Sequence, residues 1–300
     1  VGNQNLTMFK LWKKTRKNEV KPTVALTPPS EAPGSDVDVT LLTDVGCVRE
    51  INEDSGMFTR AETDAQKEKG TLVLVADGMG GHSAGEVASS MAVQLITQVY
   101  YEDDGSPRDA LEAAFHAANR AINDWSSKDA NLDGMGTTCT ALVLQNGSAL
   151  AAHVGDTRLY MIRDSQIYLM TEDHSAVMEM VKRGWLSLDQ ARHHPDKNVI
   201  LRALGSHPEV DVTIWESPLP VRTGDRFLLC SDGLYDLVED EEIKTIAMAS
   251  SPNAACQNLI ALAKQRGGHD NITVAIVSLG VPDAPSSRTA PETRQAEVMR

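Results

Sequence analysis

Four aspartates in this chain stand beside glycines at the ends of apolar runs, a placement that can do chemistry if folding gathers them. Asp77 closes the run 72–75 and is followed by Gly78, Gly80 and Gly81; Asp232, with Gly233, closes 226–231. Asp270, after Gly267 and Gly268, opens 272–277, and Asp133, with Gly134 and Gly136, precedes 137–144. Two bare carboxylates about 4 Å apart repel by roughly 4 kcal/mol at an effective dielectric near 20, so a gathered set calls for cations. No paired Cys or His spacing accompanies them. Oxygen donors of this kind suit the hard ions Mg²⁺ or Mn²⁺ and do not suit Zn²⁺.

The elements that must position these carboxylates follow from periodicity. Asp77 ends a short buried strand, and a helix starts at once beyond the glycines: Ser83 and Glu86 form a capping-box pattern, and Val87, Met91, Leu95 and Val99 recur at helical spacing. Ser106, Pro107 and Asp109 open a second helix, whose buried face includes Ala110, Ala114, Ala118, Ile122 and Trp125. Two hairpins are expected next: 137–144 with 148–154 through Asn146-Gly147, then 158–162 with 166–170 through Asp164-Ser165. Successive hairpins mean antiparallel sheets. The chain then alternates strands at 210–215, 226–231 and 272–279 with helices near 241–249 and 253–264.

Seven motifs, in order, resemble the metal-dependent protein phosphatases of the PP2C type, bacterial branch. They are R-E-I-N-E-D (Arg49 to Asp54), D-G-M-G-G-H (Asp77 to His82), D-G-M-G-T-T (Asp133 to Thr138), V-G-D-T-R (Val154 to Arg158), D-H-S (Asp173 to Ser175), S-D-G-L-Y-D (Ser231 to Asp236) and H-D-N-I-T (His269 to Thr273). The resemblance implies an α+β, four-layer αββα sandwich: two mostly antiparallel sheets flanked by helices, with a metal site at one end. It implies hydrolysis of phosphoserine and phosphothreonine in proteins by a metal-bridging hydroxide, reversing a Ser/Thr kinase in bacterial signalling.

Residue by residue, the resemblance makes Asp77 the bridge between two Mn²⁺ or Mg²⁺ ions. Asp232 and Asp270 complete one ion's shell, and the Gly78 carbonyl serves the other. Asp133 with Asp232 would hold a third ion. Arg49 corresponds to the phosphate-binding arginine, Glu53 to a ligand through water, and Asp54 to a carboxylate orienting metal-bound waters. Where many eukaryotic relatives carry a His that is a candidate general acid, this chain has Met79, so the proton would come from elsewhere, from a metal-bound water or from His82.

Composition narrows the class further. A formal charge of −14 argues against nucleic acid as partner, the more so because residues 1–22 carry a net +5 and leave −19 elsewhere. The four cysteines show no C-x-x-C spacing and no Arg six residues on, so they read as buried thiols in a reducing compartment, without the cysteine-phosphatase loop, and the chain is expected to be a cytoplasmic monomer. No apolar run approaches a transmembrane length. The expected organisation is a basic, then Pro/Ser-rich flexible arm over 1–36, a phosphatase domain over 37–280 with a flap near 175–196 suited to substrate choice, and a disordered tail over 281–300.

Two other readings fit the residues less well. Asp36-Val-Asp-Val-Thr40 is similar to the nucleophile loop of haloacid-dehalogenase-type phosphatases, but it follows Pro33, Gly34 and Ser35 rather than a hydrophobic strand. A catalytically dead relative that only binds phosphoproteins would have no physical need for Arg49 and all four aspartates. Asp156 and Arg158 are expected to serve a turn and an ion pair. His193 and His194 are assigned no ligand role.

Overall fold

The computed structural model describes residues 37–60, 64–80, 84–128, 132 and 134–280. The expectations for the arm at 1–36, the tail at 281–300, Asp36, His82, Ser83 and Asp133 lie outside the described residues.

Strands whose two faces are both buried read as unbroken apolar runs, and the architecture follows from that. One sheet has the order β1 (Val37–Asp44), β12 (Ile272–Leu279), β11 (Arg226–Cys230), β7 (Arg158–Arg163), β8 (Gln166–Leu169). The other has β10 (Leu219–Pro220), β6 (Ser148–Val154), β5 (Cys139–Gln145), β3 (Thr71–Met79), β2 (Asp54–Thr59), with short β4 (Gly136–Thr137) on β3 and β9 (Thr213–Ile214) on β6. Every pairing is antiparallel.

Alternation along β3 shows the layering. Val73 and Val75 face the other sheet, where they meet Leu142, Leu159, Phe227, Leu229 and Ala275. Leu72, Leu74 and Ala76 face outward, under the long helices α1 (Ala84–Glu102) and α2 (Pro107–Ser126). Ala88, Ala92, Ala110, Ala114 and Ala118 are fully buried there, so the two helices lie close. On the opposite side, Leu228, Cys230, Val274 and Ile276 are covered by α3 (Asp240–Ala249) and α4 (Pro252–Gln265). The four layers are thus helix, sheet, sheet, helix.

Local signals explain the boundaries. The Ser106 side chain accepts from the Asp109 N–H with Pro107 in the first turn, and Ser251 caps Pro252–Gln265 in the same way. Both hairpin turns carry two consecutive positive φ angles, 47° and 72° at Asn146-Gly147 and 51° and 59° at Asp164-Ser165, the twist that two-residue hairpins need. Several expectations differ: Trp125 is exposed rather than on the buried face of the second helix, and Cys47 is exposed while the other three cysteines are buried. The 210–215 strand is only Thr213–Ile214, and the strand expected over 137–144 breaks at Thr138, whose hydroxyl and N–H turn to the Asp77 backbone. Among the described residues, no helix is long and apolar enough to cross a membrane.

Candidate metal centre

The strand bearing Asp77 does not stop there, as the glycines suggested, but runs on to Met79. Gly78 and Met79 pair with Thr137 and Gly136, and the Thr138 N–H and Thr137 hydroxyl both donate to the Asp77 carbonyl at 2.8 Å. Gly78 is glycine because of close approach. A Cβ there would lie 2.1 Å from the Gly85 carbonyl oxygen and 2.5 Å from that of Glu53.

Asp54 opens β2 directly across the register from Asp77, and its Oδ2 accepts from the Ser231 hydroxyl at 2.7 Å. That serine precedes the helical turn Asp232–Tyr235, so one hydrogen bond joins the two sheets beneath the cluster. Ser231 is itself fixed to β12, accepting from the Thr273 N–H at 3.0 Å. Gly233 fits under the Asn271 carbonyl, 2.0 Å from where a Cβ would stand. Asp270, just before β12, accepts from Arg49 Nη2 at 2.8 Å. Arg49 also stands 4.0 Å from Glu53, and its side chain remains about half exposed, at 48%.

The carboxylates feel one another strongly. Burial, then the charges of Asp54, Asp232, Asp156 and Asp270, holds Asp77 well above the usual carboxylate range. Burial and then Asp156, Asp236, Asp270 and Asp54 do the same to Asp232. Asp54 is pushed up to about 6 by burial, against the hydrogen bonds it accepts from Ser231 and Thr273. Buried and without a hydrogen-bond partner are Asp232 Oδ1 and Glu53 Oε1. Among the described residues, no three His, Cys, Asp or Glu side chains are drawn together tightly enough to form a ready-made chelate. Orphaned carboxylate oxygens amid mutual repulsion, with no sulfur or imidazole donor, fit hard divalent cations.

The structure thus brings Asp77, Asp232, Asp270, Asp54, Glu53 and Arg49 to one end of the sandwich. It adds Asp156, which sequence reasoning had given to a turn. Asp156 is 4% exposed, pushed up to about 7 by burial and then by Asp173, and is the first carboxylate acting on Asp232. Its neighbour keeps the expected ion-pair role: Arg158 makes a two-pronged bond to Asp173 at 3.1 and 2.7 Å and lies 3.7 Å over the Tyr235 ring. The G-D-T-R motif could have flagged Asp156, but nothing local separates a buried site carboxylate from a turn aspartate. His193 is exposed, and His194 Nδ1 accepts from the Asp196 N–H.

The flap region holds the helical stretches Ala176–Lys182 and Leu188–Arg192, with Trp185 exposed between them and Leu188 exposed at the start of the second. It is tied at its ends by bridges between Ser175 and Ile200 and between Leu204 and Thr137. Arg192 donates to the Tyr235 carbonyl and Lys197 pairs with Asp236, so the flap is fastened to the turn that begins at Asp232.

Two packed antiparallel sheets between helix layers form an αββα sandwich, with an oxygen-only carboxylate cluster, the candidate metal centre, at one end. The family model described as Protein phosphatase 2C matches residues 52–264. The chain belongs to the protein phosphatase 2C family, which is metal-dependent. It is 37% identical over 241 residues to the serine/threonine phosphatase stp of Listeria innocua, covering 78% of this chain and 93% of that one. It superposes on the Mycobacterium tuberculosis serine/threonine phosphatase PstP/Ppp with a TM-score of 0.73 at 36% identity, covering 81% and 99% of the two chains. A second similar structure, the catalytic domain of PstP, is in complex with two manganese ions (TM-score 0.70, 35% identity, 81% and 98% covered).

Proposed function

We propose that this chain is a metal-dependent protein phosphatase that hydrolyses phosphoserine and phosphothreonine in proteins. The observation that carries the reading is the cluster itself: buried, mutually repelling carboxylates with an unpartnered Asp232 oxygen, flanked by a half-exposed arginine. Asp77, Asp232, Asp270 and the Gly78 carbonyl would hold two Mn²⁺ or Mg²⁺ ions, Asp133 a third, with Glu53 and Asp54 acting through water. When bound, such ions lower the pKa of a water and offset charge on phosphoryl oxygens.

The chain's own groups do the rest. Arg49, freed to swing from Asp270, can grip two phosphoryl oxygens with its planar fork. Asp54, held by Ser231 and Thr273, would orient metal-bound water. Met79 offers no proton to the leaving serine oxygen. Residues 37–280 form the catalytic domain, and the flap, fastened at Tyr235 and Asp236 and bearing exposed Trp185 and Leu188, reads the protein around the phosphate. The chain acts as a monomer in the cytoplasm against the output of a Ser/Thr kinase.

The test is phosphopeptide hydrolysis with Mn²⁺, with chelator, and by Asp232→Asn. Turnover that needs the metal and collapses in the variant is expected. Metal-independent turnover would overturn the metal mechanism, and no turnover from a folded sample supplied with Mn²⁺ would favour a binding module instead.

A further inference from the structure

The stretch between β1 and β2, residues 45–53, carries Arg49 yet belongs to no helix or strand. Its backbone groups must therefore find partners elsewhere. One buried side chain supplies three of them. Asn271, 4% exposed, donates from Nδ2 to the carbonyls of Val45 and Ile51, each at 3.0 Å, and accepts from the Glu53 N–H at 2.8 Å. Both ends of the stretch thus hang on one side-chain amide, and the backbone N–H of the same residue donates to Asp270 Oδ1 at 2.9 Å.

We infer that Asn271 is a positioning residue for phosphate binding: it sets the 45–53 stretch so that Arg49 stands over the site that Asp270 flanks. This rests on the phosphatase reading and deepens it. Only a primary amide on a short stem can donate to two carbonyls and accept from an N–H here. Aspartate would turn a carboxylate on two carbonyl oxygens, glutamine is one methylene too long, and an apolar residue would leave three backbone groups unpaired. The neighbouring contacts point the same way without replacing it. Asn52 donates to Thr43 Oγ1 at 2.8 Å, and the Cys47 N–H donates to the Gly268 carbonyl at 2.7 Å, so the stretch stays attached while its middle loses register.

The experiment uses the full chain loaded with Mn²⁺ and compares wild type, Asn271→Ala, Arg49→Ala and the double variant on a phosphothreonine peptide, with inorganic phosphate as competing probe. Misplacing a binding group by a fraction of an ångström is expected to weaken phosphate inhibition and raise KM about tenfold in Asn271→Ala. The Mn²⁺ concentration for half-maximal activity should move far less. In the Arg49→Ala background the second substitution should add less than twofold, because the amide acts through the arginine. Additive losses, or a shift in the Mn²⁺ requirement in place of the phosphate constant, overturn the inference. Should Asn271→Ala not fold, Asn271→Ser is subjected to the same cycle. Hydrogen exchange at the Glu53 amide reads the clamp directly: it should quicken in the variant while β12 amides stay protected, and unchanged exchange also overturns it. An inactive wild type defeats the phosphatase reading itself, whereas an active, Arg49-dependent wild type with a neutral Asn271→Ala defeats this inference alone.

Discussion

Replacing Asp232 by asparagine should stabilise the chelated protein and destabilise it relative to wild type once Mn²⁺ is present. Asp232 Oδ1 is buried without a partner, and Asp156, Asp236, Asp270 and Asp54 all press on the same carboxylate. An unsatisfied buried acceptor costs about 1–3 kcal/mol, and the like charges of the neighbouring carboxylates add to that. Asparagine removes the charge and offers an N–H to the surrounding oxygens. A net gain of about 2 kcal/mol for the metal-free protein corresponds to a melting temperature roughly 4–8 °C higher for a domain of this size. With Mn²⁺ at about a hundred times its dissociation constant, wild type should gain about 2.7 kcal/mol, and the variant, having lost a ligand, much less. The assay is a pair of thermal melts, with chelator and with Mn²⁺, in which the order of the two proteins inverts. A chelated variant that melts at or below wild type would refute the repulsion argument, and equal Mn²⁺ shifts would refute Asp232 as a ligand.

Arg158→Ala should cost about 3–5 kcal/mol of stability, since it strands Asp173 beneath the flap; denaturant unfolding checks this, and a loss under 1 kcal/mol would count against it. Gly233→Ala forces a Cβ to within 2.0 Å of the Asn271 carbonyl, so turnover should fall at least tenfold with a lowered melting temperature; near-wild-type kinetics would show that the turn shifts freely. His153 and His174 stack at 4.8 Å and are buried neutral, with burial pulling them down to about 4 and about 3. The unfolded chain therefore takes up their protons first, near pH 6.5, and their contribution to stability is full above that pH and lost as pH falls towards 4. For His153 this loss is about 3 kcal/mol. Because Asp54 and Asp156 titrate in the opposite sense, the measurement is the difference between wild type and His153→Gln unfolding free energies, which should shrink by that amount between pH 7 and pH 4; a constant difference would contradict it.

Much of this fold is written in local pattern. The runs of β3, β5, β11 and β12 are apolar on both faces because each is sandwiched between layers, and the turns at Asn146-Gly147 and Asp164-Ser165 announce their hairpins. Asp77, Asp232 and Asp270 could be singled out from glycine-flanked strand ends and their resemblance to known motifs. The parts that escaped are those set by distant partners. Gly78 looked like the start of a turn because only its approach to Gly85 and Glu53, and pairing with β4, reveals an extended strand. Val210 and Val212 have the alternation of a strand, yet only Thr213 and Ile214 find a neighbour to pair with. Asp156 and Asn271 act through burial and contacts across the sandwich, which adjacent residues do not encode.

The excursion between Ser175 and Leu204 is moored at both ends by main-chain pairing, to Ile200 and to Thr137. Such pairing is indifferent to side-chain identity. A foreign loop of similar span could therefore be spliced in there without rewriting the sheets, with Arg192 and Lys197 as the two fasteners to carry over. That makes this part of the chain the natural place to retarget the enzyme by exchange of a cassette.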